Sequence, residues 1–266
     1  MRRTGLLLTA LVLSFATVLP GFAKSKDKVE HKSFSFDGKD RTYYYQIPTA
    51  TDANKPLPAV VLLHAQGGWA TDVIGMWHDF ASHEGFVIIA PESLSNTMWN
   101  STVDGPNYLH AVVAEVNKMH PIDPQRVFLF GEDSGGVYAM ALGLFDSQFW
   151  GSTCVHRAIL DPSNYSLFQH AQRKEPFQVW VGDQDPDHSL NLLTNEYHAF
   201  KNAGFPFDLK IIQNSSGGYG GNVADQVNEG CYHFFSKNPN TAASPAAPAA
   251  SATPPAAPSG LTATPQ

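Results

Sequence analysis

Two cysteines in 266 residues are too few for a disulfide-scaffold fold or a Cys₄ zinc site. Charge is scarce too: 15% of the residues are Asp, Glu, Lys or Arg, and 17 basic against 24 acidic groups leave a formal net charge of −7. Arg2 and Arg3 fall in a leader expected to be removed, which leaves 15 against 24, or −9. A surface of that sign repels phosphate backbones, and no local basic cluster relieves it, so no nucleic-acid partner is expected. The chain also lacks a G-x-G-x-x-G turn after its first apolar run and a Walker A loop, which sets aside the two common nucleotide-binding designs. Beyond residue 23 no apolar run is long enough to cross a bilayer. What remains is 43% hydrophobic, enough to build a core.

The two ends differ from the middle. Met1-Arg2-Arg3 is a positive start, Gly5 to Leu19 is uncharged and apolar, and Pro20-Gly21-Phe22-Ala23 closes the stretch with residues suited to cleavage. Residues 1–23 therefore read as a signal peptide, and its apolar run is shorter than the roughly 20 residues a membrane span needs. The mature chain is expected to be secreted or periplasmic. Pro239 to Gln266 holds no charged residue and is mostly Ala, Pro, Ser and Thr. Such a segment buries too little to offset the entropy of ordering it, so 239–266 reads as a disordered tail and 24–238 as one folded domain.

Within that domain, strand and helix patterns alternate. His31–Asp37 and Arg41–Ile47 flank Gly38-Lys39 as a hairpin. Pro58–His64, Phe86–Ala90, Arg126–Phe130, Val155–Leu160, Phe177–Val181 and Phe207–Ile212 are short apolar runs of the kind buried on both faces of a sheet. Helical spacing is read over Asp72–Glu84, Tyr108–Met119, Gly135–Leu144 and at 163–173, 187–203 and 222–236. The alternation predicts an α/β protein with a mostly parallel sheet, an N-terminal hairpin and helices on both faces, the α/β-hydrolase plan.

Gly131-Glu132-Asp133-Ser134-Gly135-Gly136 lies between the strand RVFLF and a helix of small residues. Glycines two before and two after a central residue are what a nucleophile elbow requires, because strand and helix cross there at a strained turn. Gly131 and Gly135 flank Asp133, so Asp133 is the elbow residue. Reading Ser134 as nucleophile would put Glu132 where a small residue is needed. The four letters DSGG also occur in chymotrypsin-like proteases, but those are all-β, so that likeness is set aside.

With LLHAQGG, IDPQRVFLFGEDSGG, VWVGDQDP, AGFPFDLKII and NVADQVNEGCYHFF in this order, the chain from Leu57 to about Phe235 resembles secreted α/β-hydrolases of the polyhydroxybutyrate depolymerase/feruloyl esterase-like group. The resemblance implies an esterase site at the C-terminal ends of the strands. It puts the elbow serine's position on Asp133 and the catalytic acid on Asp185, in Gly182-Asp183-Gln184-Asp185. The oxyanion N–H groups fall on Ser134 and Gln66, the latter in His64-Ala65-Gln66-Gly67-Gly68. The histidine position falls near Gly218, in a loop, 213–221, that contains no histidine. The triad is thus degenerate.

A serine esterase needs an imidazole to take and return a proton. Asp133 needs no base to attack, but an aspartyl ester still needs one to be hydrolysed, and attack on a carboxylic ester gives an anhydride. His188 follows Asp185 closely and is the candidate substitute base; His64 and His233 are read as structural or surface residues. Two carboxylates facing the vacated space require that one takes up a proton, that water fills the gap, or that a cation sits there, water being the plain expectation. No cofactor or metal is expected, since Asp183 and Asp187 are near only in sequence. Trp69, Trp77, Trp99, Tyr108, Trp150 and Tyr219 are candidate pocket aromatics for an ester-like small molecule or polymer. Cys154 and Cys231 are read equally well as a bridge or as buried thiols.

The expected function is an exported esterase-lineage protein that hydrolyses esters weakly or not at all. The alternatives are an active hydrolase with Asp133 as nucleophile, and a non-catalytic ligand-binding or envelope interaction protein.

Overall fold

The computed structural model describes residues 24–49, 51–95 and 98–243. The leader 1–23 and residues 244–266 of the tail lie outside them. Eight strands form one sheet in the order β1-β2-β4-β3-β5-β6-β7-β8. β1 (Glu30–Phe36) and β2 (Lys39–Gln46) make the hairpin, and β2 pairs antiparallel with β4 (Val87–Pro91). From β4 onward every pairing is parallel, through β3 (Leu57–Leu63), β5 (Ile122–Glu132), β6 (Thr153–His156), β7 (Phe177–Gly182) and β8 (Phe207–Ile212). This is the α/β-hydrolase fold.

The parallel strands are apolar because helices cover them on both sides. Alternate residues of β3 and β5 divide between two cores: Val61 and Leu129 face one, Leu62 and Phe130 the other. The first core is closed by α2 (Pro106–Asn117), α3 (Ser134–Phe145) and α4 (Leu190–Asn202). The second is closed by α1 (Ala70–Glu84) and α5 (Asn222–Lys237), with Trp77, Phe80 and Phe86 packed edge to face. α3 is buried nearly all round, which is why it reads as small and apolar without a clear polar stripe. A Cys154–Cys231 disulfide, with a Cα–Cα distance of 5.6 Å, ties β6 to α5 and resolves the open choice about the two cysteines.

Several boundaries differ from the sequence reading, β5 (Ile122–Glu132 against Arg126–Phe130) among them, and three differences have a visible local cause. β6 spans Thr153–His156 instead of Val155–Leu160, because Arg157 adopts a left-handed backbone (φ 52°) that ends the strand. The helix read at 163–173 is a 3-10 helix, Pro162–Gln169, begun by Asp161, whose carboxylate accepts from the Ser163 N–H. The fold also continues past residue 238. Asn240 is buried, its N–H donates to the Gln125 carbonyl and its side-chain amide to the Gln148 carbonyl.

Candidate active site

The glycine spacing around Asp133 has a direct steric cause. A Cβ on Gly131 would lie 2.3 Å from the Gly135 carbonyl oxygen, and one on Gly135 would lie 2.4 Å from the carbonyl oxygens of Leu63 and His64. No side chain fits at either place, so strand, turn and helix cross at backbone contact. Asp133 sits at that crossing with φ 52° and ψ −121°, a sparsely populated conformation for a residue with a side chain. Its N–H donates to the His156 carbonyl, which ties the turn to the end of β6. Ser134 opens α3, so its N–H is one of the donors a helix leaves without an internal acceptor.

The contact of Gly135 with Leu63 and His64 brings the loop after β3 to the same end of the sheet. There the Gly68 N–H closes a turn on the Ala65 carbonyl, with Gln66 exposed on it and Gly67 at φ 68°. His64 is buried beneath this loop. Its Nδ1 lies 2.8 Å from the Ala65 carbonyl oxygen, its Nε2 accepts from the Ser93 N–H, and its ring packs on Trp99. Burial lowers its pKa despite the bond to Ala65. It is a framework group.

The Asp185 side chain is fully buried just beyond β7. Both of its oxygens have partners. Oδ2 takes Arg157 Nε at 2.7 Å, and Oδ1 takes the N–H groups of Asp187 and His188 at 2.9 and 3.1 Å, with His188 Nδ1 at 3.2 Å. Burial alone would push this carboxyl up. The Arg157 hydrogen bond, the other donors and the guanidinium charge more than reverse that, and its pKa is lowered. Asp183 points elsewhere and caps the last loop by accepting from the Ser215 N–H.

That loop places Gly217, one position before the expected Gly218, against Asp185. A Cβ on Gly217 would fall 2.1 Å from Asp185 Oδ2 and 2.7 Å from Arg157 Nε, whereas one on Gly218 meets nothing within 4 Å. A guanidinium supplied by the chain, that of Arg157, therefore stands against Asp185 at the place where a side chain on Gly217 would project. Burial disfavours the charge on Arg157, but its bond to Asp185 and the nearby charges of Asp185, Glu132 and Asp133 outweigh this, so its pKa is raised. Its Nη2 also reaches Asp187, at 3.1 Å. The Asp133 carboxylate has no hydrogen-bond partner among the described residues, and no imidazole lies within ion-pair reach of it.

Glu132 and His156, cross-strand neighbours on β5 and β6, form a second buried pair, with Nδ1 2.7 Å from Oε2. Burial raises the Glu132 pKa, partly offset by the imidazole. His156 Nε2 is buried without a partner, and the ring lies under Tyr219. Of the candidate pocket aromatics, Trp77, Trp99, Tyr108 and Trp150 are core, Tyr219 is half-buried on Phe130, and Trp69, which precedes α1, is well exposed. Among the described residues no three His, Cys, Asp or Glu side chains are grouped as metal ligands would be, and no helix is long and apolar enough to cross a membrane.

No protein-family model matches the sequence, and no curated protein does. Solved structures share the fold. Esterase 2 of Thermogutta terrifontis superposes with a TM-score of 0.64 at 16% identity, covering 79% of this chain and 94% of the esterase. A ferulic acid esterase gives a TM-score of 0.57 at 15% identity, covering 79% of this chain and 98% of its own. A Bacteroides ovatus chain assigned to dipeptidyl aminopeptidase IV gives 0.64 at 16% identity; the match covers 80% of this chain but 36% of that longer one. The likeness is one of fold, the α/β-hydrolase fold.

Proposed function

We propose that this chain is an exported α/β-hydrolase-fold protein of esterase lineage that has lost efficient ester hydrolysis and keeps a place for an ester-like ligand. The observation that carries this reading is the state of the acid. Arg157 Nε is paired with Asp185 Oδ2, and a side chain at Gly217 would collide with that pair, so the loop after β8 has no room to set an imidazole between Asp185 and the elbow. With Asp133 at the elbow, neither a hydroxyl nucleophile nor a base stands where acyl transfer needs them. The leader and the Cys154–Cys231 bridge support export, since such bonds persist in oxidising compartments.

Turnover of p-nitrophenyl acetate by the purified chain tests the reading. The expected rate is at most the residual 10³–10⁴-fold over water that roughly remains when a triad is removed, and it is unchanged in Asp133→Ala. Ordinary esterase turnover abolished by Asp133→Ala would overturn it.

One contact favours a second reading. His188 Nδ1 lies 3.2 Å from Asp185 Oδ1, as in an acid–histidine pair, so Asp133 could act as nucleophile with His188 as base. That reading requires turnover that His188→Ala and Asp133→Ala each abolish.

A further inference from the structure

The one Lys or Arg between Arg126 and Arg173 is Arg157, and it stands directly after β6 in a left-handed backbone conformation. That conformation follows from tying both sides of the turn. The Arg157 N–H donates to the Trp180 carbonyl on β7, while the side chain folds back to Asp185 beyond the same strand. The guanidinium reaches the point onto which a side chain at Gly217 would project. Gly217 is itself fixed there: its N–H donates to Ser215 Oγ, and the Ser215 carbonyl accepts from the Gln184 N–H beside Asp185.

We infer that Arg157 has taken the place of the catalytic imidazole and acts as a permanent plug, an internal cation that holds Asp185 and offsets the charge brought in by Asp133. This rests on the proposed loss of hydrolysis and says how the site is kept closed. An imidazole relays protons because its two nitrogens exchange roles, whereas a guanidinium stays charged at every pH at which the protein is folded and has no acceptor. Substituting one for the other turns a proton relay into a fixed ion pair. The plug also sets an order on any restoration. A serine at the elbow is useless while the guanidinium fills the base's position, and an imidazole carried at Gly217 has no room beside Asp185 Oδ2.

Chemical rescue tests this on the full chain. In Asp133→Ser/Arg157→Ala the vacated volume should accept free imidazole. The rate at which a fluorophosphonate probe labels the introduced hydroxyl is read by intact-protein mass. In that reaction the hydroxyl oxygen bonds to phosphorus, fluoride leaves and imidazole takes the proton. The expected result is saturable acceleration by imidazole of about 10²-fold, the lower end of general-base effects, with none in Asp133→Ser alone. A second measurement needs no reactivity: carbon NMR of Asp185 should show its pKa rising in Arg157→Gln. Equal response to imidazole in the two serine variants, or an Asp185 titration indifferent to Arg157, would overturn the assignment. Esterase turnover by the unmodified chain would overturn the proposed function instead, so the two failures are separable.

Discussion

Glu196 gives a stability prediction whose size follows from its surroundings. It lies on the buried side of α4, where Oε1 accepts the Leu160 N–H at 2.6 Å and Oε2 is buried with no hydrogen-bond partner. Burial, only partly offset by the Leu160 bond, pushes its pKa from an ordinary 4.5 up to about 8. Between those values the folded chain holds a proton that the unfolded chain has released. Its stability therefore falls as pH rises through that window, by about 1.4 kcal/mol per pH unit, and levels off above pH 8. Integrated from pH 6 to 8, where the folded carboxyl passes from protonated to half-ionised, the loss is about 2 kcal/mol. Glu196→Gln keeps the acceptor for Leu160 and cannot ionise. Urea unfolding of both proteins with the disulfide intact, at pH 6, 7 and 8, should show the stability of the wild type relative to the variant dropping by that amount. Parallel pH profiles would refute the reasoning and mean that a cation or water compensates Glu196.

Gly135→Ala should destabilise the fold by about 3 kcal/mol or more, read as a lower urea midpoint, because the new methyl meets two backbone oxygens that no rotamer change can move. Replacing Cys154 and Cys231 together by serine opens a loop closed over a sequence separation of 77 and should cost about 4.5 kcal/mol by the chain-entropy relation. The same unfolding experiment checks it, and midpoints within error of wild type would contradict it.

What could be read from the sequence was what local sterics and periodicity determine. The strained strand-to-helix turn at Asp133 was legible because only glycine fits at 131 and 135, and the placement of Asp185 because Gly182 to Asp185 follows a buried strand. The end of β6 was misread because Ala158, Ile159 and Leu160 continue its apolar run, while the break at Arg157 is set by bonds to Trp180 and Asp185, 23 and 28 positions away. The guanidinium escaped notice for the same reason, having no motif and a non-local partner. One signal pointed to it: carboxylates at Glu132, Asp133 and Asp185 gather at adjacent strand ends, and Arg157 is the basic residue that follows the strand between them. The Glu132–His156 pair was hidden likewise, since register alone makes the two residues neighbours.

The crossing at Gly131, Asp133 and Gly135 bears on how such folds age. A strained turn is usually credited to the nucleophile it displays, yet here the strain persists with a carboxylate in that seat. Backbone contact among β3, β5 and α3 is enough to preserve it, because relaxing the turn would prise the helix from two strands at once. The joint is a keystone first and a display stand second. The shape of the turn is thus set by its glycines and their neighbours, and the residue presented at position 133 can change without it.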